Sequence, residues 1–131
     1  MAEKLALVLT SDTREQLQMA GMIASVGAVS GSEVTVFVSM NAMPYFLKSR
    51  GDQEAPAAGE MGQIMGQKNV PPFMDLFRQA AELGGAKVYP CSMAIDILEA
   101  GQDDLDDMLE APLGLTTFLG DMVEGAHVLN F

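Results

Sequence analysis

The sequence is poor in cysteine: among its 131 residues there is a single one, Cys91, and there is no tryptophan. One cysteine cannot form a disulfide within the chain, which excludes a small secreted scaffold held together by disulfides. It also excludes a Cys-x-x-Cys oxidoreductase, because that chemistry needs a second thiol. We therefore expect a cytoplasmic protein whose thiol stays reduced.

Basic residues and long apolar runs are also scarce. Seven Lys and Arg residues stand against 18 Asp and Glu residues, so the formal net charge is −11. A field of this sign repels nucleic-acid phosphates and anionic lipid headgroups, so we expect no nucleic-acid partner.

No stretch approaches the roughly 20 apolar residues that span a bilayer, and the apolar part of MAEKLALVLTSDT is too short for a signal peptide. We expect no stable membrane insertion.

Short apolar runs alternate with helical patterns along the whole chain, and 49% of the residues are hydrophobic. This alternation predicts an α/β fold with a mostly parallel sheet and helices on both faces. The runs that read as strands are KLALVLT, SEVTVFVSMNAM, AKVYP and AHVLNF. The length suits one compact domain over residues 1–131.

Two local patterns carry further expectations about the loops and helix ends. Asp12 and Glu15, three residues apart, predict a capping box at the start of the first long helix. The stretch from about residue 51 to 69 has four glycines and little periodicity, which predicts a flexible loop that is either functional or disordered.

Cys91 falls at the carboxyl end of the third predicted strand, directly before a helical pattern. Ligands of open α/β sheets bind beyond the carboxyl ends of the strands, where we also expect Ser11, Ser39, Met40 and Asn41. Backbone N–H groups at the start of a helix stabilise a thiolate, which favours a reactive thiol. The alternative is inert burial, because free cysteine often packs as a small apolar residue.

The chemistry open to this thiol is limited by the lack of a base. The single histidine, His127, lies near the start of the last predicted strand, and we expect it to be structural rather than a partner of Cys91. A lone thiolate can nevertheless accept a sulfur atom from one cysteine and pass it to another, because that exchange needs no internal base.

Three segments resemble the DsrE/DsrF-like family of small sulfur-trafficking proteins. They are LALVLTSD with the helix after it, GSEVTVFVSMNAMPYFLK, and CSMAIDIL followed by DDLDD and APLGLTTFLGDMVEGAHVLNF. Cys91, Met93 and Asp96 match a Cys-x-Met-x-x-Asp motif of one branch of that family. The resemblance implies about five parallel strands in flavodoxin-like layers, and homo-oligomers that are trimers or hexamers. It also implies a persulfide on Cys91, exchanged with sulfur donor and acceptor proteins. For Met93 we expect a place in the pocket, and for Asp96 a role in structural support.

Two other functions remain open at this stage. The first is a non-catalytic oligomeric interaction subunit in which Cys91 only packs. The second is a copper(I)-binding protein, because the chain has 11 methionines and thioethers with a thiolate suit soft ions. Met40, Met43, Met61 and Met65 would join Met93 and Cys91 there. We assign no metal site and expect no cofactor.

Overall fold

The computed structural model describes residues 3–50 and 53–131. Its core is a sheet of four strands in which every neighbouring pair runs parallel, in the order β3-β2-β1-β4. This confirms the predicted α/β class. The strands are β1 (Lys4–Leu9), β2 (Glu33–Val38), β3 (Lys87–Pro90) and β4 (His127–Asn130).

The family resemblance implies about five strands, and a fifth, irregular chain segment runs beside β3. Leu109 bridges Val88 and Leu113 bridges Cys91, both in parallel. The N–H of Leu113 donates to the carbonyl of Pro90 at 3.0 Å. Pro112 has no N–H to add to this ladder, so only isolated bridges form and the sheet proper has four strands in the described residues.

One face of the sheet is covered by two helices that pack on each other, α1 (Arg14–Val29) and α3 (Phe73–Gly84). On the face beneath these helices, Leu7 on β1, Val36 on β2 and Val88 on β3 are aligned side by side and are fully buried. The buried face of α1 includes Leu17, Ala20, Ala24 and Ala28, and the three alanines are small enough to let the helix lie close to its neighbours. A Cβ on Gly27 would lie 2.8 Å from the side chain of Leu5.

The elements that follow β3 are short. They are α4 (Ser92–Ile97), a 3-10 turn at Gln102–Asp104, and α5 (Leu115–Thr117), which continues as a π-helical turn at Phe118–Met122. The π-helical turn packs on the face of the sheet opposite α1. The Phe118 ring stacks on Phe37 with 4.8 Å between ring centroids. Leu115, Leu119 and Val128 remain about half exposed, so this side of the sheet keeps an apolar surface.

The connection between β2 and α3 contains a helix where the sequence predicts a loop. Two 3-10 helices, Met40–Phe46 and Lys48–Arg50, follow β2, where the pattern of AMPYFLKSRG predicts a short turn and helix. Further along, α2 (Glu60–Gln67) forms inside the stretch expected to be a loop. Residues 51 and 52 lie outside the described residues. The flexibility of this stretch and the single-domain organisation stay predictions.

The predicted capping box at the start of α1 does not form. The residue that caps the helix is Thr13, with no side-chain cap bond, and its N–H donates to the hydroxyl of Ser11 at 3.2 Å. The carboxylate of Glu15 bonds to another segment, as described below. Among the described residues, no helix is both long and apolar enough to cross a membrane.

Candidate functional site

Cys91 lies where the sequence places it, at the junction between β3 and α4. Its backbone is extended, with φ −70° and ψ 124°, and its N–H donates to the carbonyl of Val38 at 2.8 Å. This bond extends the β2–β3 ladder by one step. Cys91 therefore stands at the carboxyl edge of the sheet, the edge at which α/β proteins bind ligands.

The thiol of Cys91 is free, and the residue is only 5% exposed. The segment that begins at Leu113 runs alongside it, because the N–H of Ser92 donates to the Leu113 carbonyl at 2.9 Å. That bond also occupies the first N–H of α4, so the helix offers the sulfur fewer free donors than the sequence suggests. The Cys91 carbonyl accepts a bond from Ile95 at 3.1 Å. In this single chain the sulfur is therefore covered.

The predicted binding residues divide into near and far neighbours of Cys91. Ser39 follows β2 and lies one position beyond the Val38–Pro90 pair, beside Cys91. It is buried, and its N–H donates to the carbonyl of Leu9 at 2.9 Å. Met40, next in the chain, is 55% exposed and has a φ of 48°, which is uncommon for a residue with a side chain. Asn41 is exposed. Ser11 follows β1, which lies two strands from β3, or about 10 Å at ordinary strand spacing.

Met93 and Asp96 lie on α4, and both are exposed. In the described part of the chain, the Asp96 carboxylate has no hydrogen-bond or ion-pair partner. Its role in structural support therefore stays a prediction, as does the place of Met93 in a pocket.

His127 is exposed and pairs with Leu5 near the amino end of β1. Cys91 lies beyond the carboxyl end of β3, which is the strand at the opposite edge of the sheet from β4. The two residues are separated by three strand spacings as well as by the length of a strand, which places them well over 10 Å apart. As the sequence predicts, this histidine cannot serve as a base for the thiol.

Two clefts lie away from Cys91, and the thiol lines neither of them. The first, which we call the helix cleft, has a volume of about 370 Å³ and lies between the first turn of α1, residues 53–55 and residues 65–75. The second is an open polar groove of about 600 Å³ between Lys48, Arg78 and the acidic residues Asp106, Asp107 and Glu110. The predicted site residues line neither cleft.

Three side chains on the first turns of α1, those of Arg14, Glu15 and Gln18, form a clamp beside the helix cleft, and Arg14 and Gln18 line it. The Arg14 guanidinium donates to the carbonyls of Ala55 at 3.2 Å and Gly62 at 2.6 Å. The Gln18 amide donates to the carbonyl of Pro71 at 3.0 Å. Together with Glu15, these residues attach the connection around α2 to α1. The sequence signal that we missed is REQLQ, which holds the only charges of α1.

Glu15 holds the amino end of α2 through its carboxylate. The N–H groups of Ala58 and Gly59 donate to it at 2.8 and 2.7 Å. These bonds favour the charged form. The bond from Ala58 contributes most to a pKa below the usual value for glutamate, with Gly59 and Gly62 adding to it against desolvation.

This lowered pKa predicts that the attachment of α2 weakens in acid. Because the pKa of Glu15 is lower in the folded than in the unfolded chain, its stabilising effect is complete above the unfolded value and is lost as the pH falls through the folded value. We expect Glu15→Gln to lower the amide-exchange protection of Ala58 and Gly59 at neutral pH, as acid does in the wild type. The control is Glu60→Gln, which removes the same charge from an exposed side chain of α2. Equal protection in the two variants would contradict this prediction.

Within residues 3–50 and 53–131, no group of three or more His, Cys, Asp or Glu side chains is placed to hold a metal ion. Of the methionines that the copper(I) hypothesis gathers, Met43 is fully buried in the core, whereas Met40, Met61 and Met93 are exposed. That hypothesis stays a prediction.

Comparisons with known proteins agree on the kind of fold. Residues 39–129 match the model of the DsrE/DsrF/DrsH-like family. The chain is similar to the solved structure of MTH1491, a protein of unknown function from Methanobacterium thermoautotrophicum, with a TM-score of 0.58, 12% identity and 98% of each chain covered. It is also similar to the ychN protein from E. coli, with a TM-score of 0.60, 14% identity, and 98% of this chain and 99% of that chain covered. None of the curated proteins matches. At these identities the two structures show the fold alone.

Proposed function

Because the chain belongs to the DsrE/DsrF/DrsH-like family, we propose that it is a sulfur-relay protein that carries a persulfide on Cys91. The family is linked in general to sulfur relay. The observation that carries the proposal is the position of the only thiol of the chain, at the carboxyl edge of the sheet and beside Ser39. No other residue of the chain can serve as the sulfur carrier.

The transfer step is a thiolate displacement. The Cys91 thiolate attacks the terminal sulfur of a donor persulfide, the donor S–S bond breaks, and the donor leaves as a thiolate with the bonding electron pair. A new S–S bond forms on Cys91, and the proton of the persulfide stays on the transferred sulfur. One S–S bond replaces another, so the step needs no outside oxidant. The acceptor thiolate then attacks the terminal sulfur of the Cys91 persulfide in the same way, and Cys91 leaves as a thiolate.

Transfer also requires the sulfur to become accessible, because Cys91 is only 5% exposed. The elements around it are short: α4 has six residues, and α5 has three before the π-helical turn. Such elements with few buried contacts open at low free-energy cost. Met40, next to Ser39, keeps a left-handed backbone at φ 48°, which is a strained conformation for methionine. We place the opening movement in these segments.

Incubation with a small persulfide is expected to add one sulfur atom to the native protein. Mass spectrometry of the intact chain and of the peptide that contains Cys91 measures this addition. Cys91→Ser should give no addition, and because the chain has one cysteine, no other thiol can obscure the result. If the native wild type stays unmodified under conditions that load the chain in denaturant, the relay function is wrong.

We further propose a homo-oligomer, either a trimer or a hexamer, that works in the cytoplasm with a sulfur donor and a sulfur acceptor protein. The support is the exposed apolar surface beside the π-helical turn, with Leu115 at 54%, Leu119 at 56% and Val128 at 47% exposure. Exposed apolar residues grouped in this way commonly mark protein interfaces.

A second candidate is the non-catalytic interaction subunit, which the burial of Cys91 favours. In that case the thiol is a small apolar residue of the core. Titration with a disulfide reagent separates the two: the relay protein reacts while folded, whereas the interaction subunit reacts only after denaturant is added.

A further inference from the structure

The helix cleft has the size and the walls of a small-molecule site. Its volume of about 370 Å³ lies in the range of ligand pockets. Met65, Val70, Phe73 and Met74 form an apolar wall, of which Phe73 and Met74 are 5% and 3% exposed. A wall of this kind accepts a short hydrocarbon chain.

The charges of the cleft are not balanced. Arg14 pairs with Glu54 at 3.0 Å, and Arg78 pairs with Asp75 at 3.3 Å and with Asp106 at 2.9 Å. Both acidic residues that line the cleft, Glu54 and Asp75, therefore already pair with an arginine. In the part of the chain that the structure describes, the Lys68 ammonium has no hydrogen-bond or ion-pair partner. The cleft thus offers one free cation in a chain whose net charge is −11.

The clamp on α1 preforms the cleft. Arg14, Glu15 and Gln18 attach residues 55, 58–59, 62 and 71 through hydrogen bonds of 2.6–3.2 Å. A site that is already ordered loses less conformational entropy when a ligand enters.

We propose that the helix cleft binds a small amphipathic anion, a molecule with a short apolar chain and one carboxylate or similar group. The chain lies on Met65, Val70 and Phe73, and the anionic group faces Lys68. Cys91 does not line the cleft, so this site is independent of the sulfur relay, and each can fail without the other.

Methionine methyl signals in NMR test the site directly. Octanoate is the probe, and octanamide is the neutral probe of the same length. We expect octanoate to shift the methyl signals of Met65 and Met74 and to leave those of Met19 and Met22, exposed on α1, unchanged. Octanamide should bind about fivefold more weakly, because it loses one partly exposed charge interaction. Equal shifts at all four methionines, or no shifts at Met65 and Met74, would overturn the proposal.

Two variants test where the anionic group and the apolar chain of the ligand bind. Lys68→Gln, at an exposed residue, should raise the octanoate Kd about fivefold and leave the octanamide Kd unchanged. Val70→Glu puts an acid on the cleft wall and should abolish octanoate binding. Its matched control is Val29→Glu, an exposed valine outside the cleft, which should bind like the wild type. The same loss in both glutamate variants, or an octanoate Kd unchanged by Lys68→Gln, would show that the cleft is not the site.

Discussion

A Phe118→Ala variant is expected to lose about 3–5 kcal/mol of unfolding free energy, the usual cost of removing a large aromatic side chain from a protein core. Phe118 is fully buried and stacks on Phe37 with 4.8 Å between ring centroids. It is the one fully buried residue in the stretch Leu115–Met122, whereas Met122 packs against the core only partly buried. Phe118 is therefore the main anchor of that stretch to the sheet. Chemical denaturation followed by circular dichroism measures the loss.

The same variant is expected to raise the rate at which Cys91 reacts with a disulfide reagent in the folded protein by about tenfold or more. The stretch anchored by Phe118 begins next to Leu113, which bridges Cys91, and weakening a local element raises the population of its open form. If Phe118→Ala remains folded and its thiol reacts no faster than in the wild type, the opening of this stretch does not control access to Cys91.

Leu83→Ala is the matched control, because it removes an apolar side chain that is 77% exposed and lies outside the surface proposed for the oligomer. Substitutions at exposed positions away from special features usually change the unfolding free energy by less than about 0.5 kcal/mol. We therefore expect wild-type stability and a wild-type thiol rate. An equal loss in both variants would mean that Phe118 does not act as the anchor.

The parallel sheet was predictable from the sequence because each strand has a local residue pattern that is typical of a buried strand. β-Branched and apolar residues run continuously through β2, as buried parallel strands require, and the register places Val36 and Val38 inside the core. The position of Cys91 followed from the same reading, since it needs only the end of one strand and the start of one helix.

The cover over Cys91 and the clamp on α1 were not predictable, because both depend on contacts between distant segments. The thiol is covered beside Leu113, 22 positions along the chain, and the π-helical turn after α5 has no periodic pattern to reveal it. Arg14 and Glu15 read as local helix-start residues, although their partners lie about 40 residues away at Ala55 and Ala58. Sequence patterns report local periodicity, whereas these features belong to the tertiary structure.

Gly84→Ala is expected to cost about 2 kcal/mol of unfolding free energy through the contact between α1 and α3. A Cβ at this position would collide with the Ala28 Cβ and lie 2.7 Å from the Ala28 backbone carbonyl carbon. A backbone atom cannot move aside as a side chain does, so α3 must shift away from α1. Overpacking of this kind costs about 1–3 kcal/mol, against a smaller gain from replacing glycine in a helix.

Gly120→Ala is the matched control, because a Cβ there meets no atom within 4 Å. Its unfolding free energy is expected to stay within about 0.5 kcal/mol of the wild type. If α3 shifts as a rigid helix, it also moves Phe73 and Met74, which lie at its first turn and line the helix cleft. Gly84→Ala should therefore also weaken octanoate binding, whereas Gly120→Ala should not. If Gly84→Ala is as stable as the wild type, the predicted overpacking against Ala28 is wrong. If it binds octanoate as tightly as the wild type, the close packing of α1 on α3 is not needed to hold the cleft wall in place.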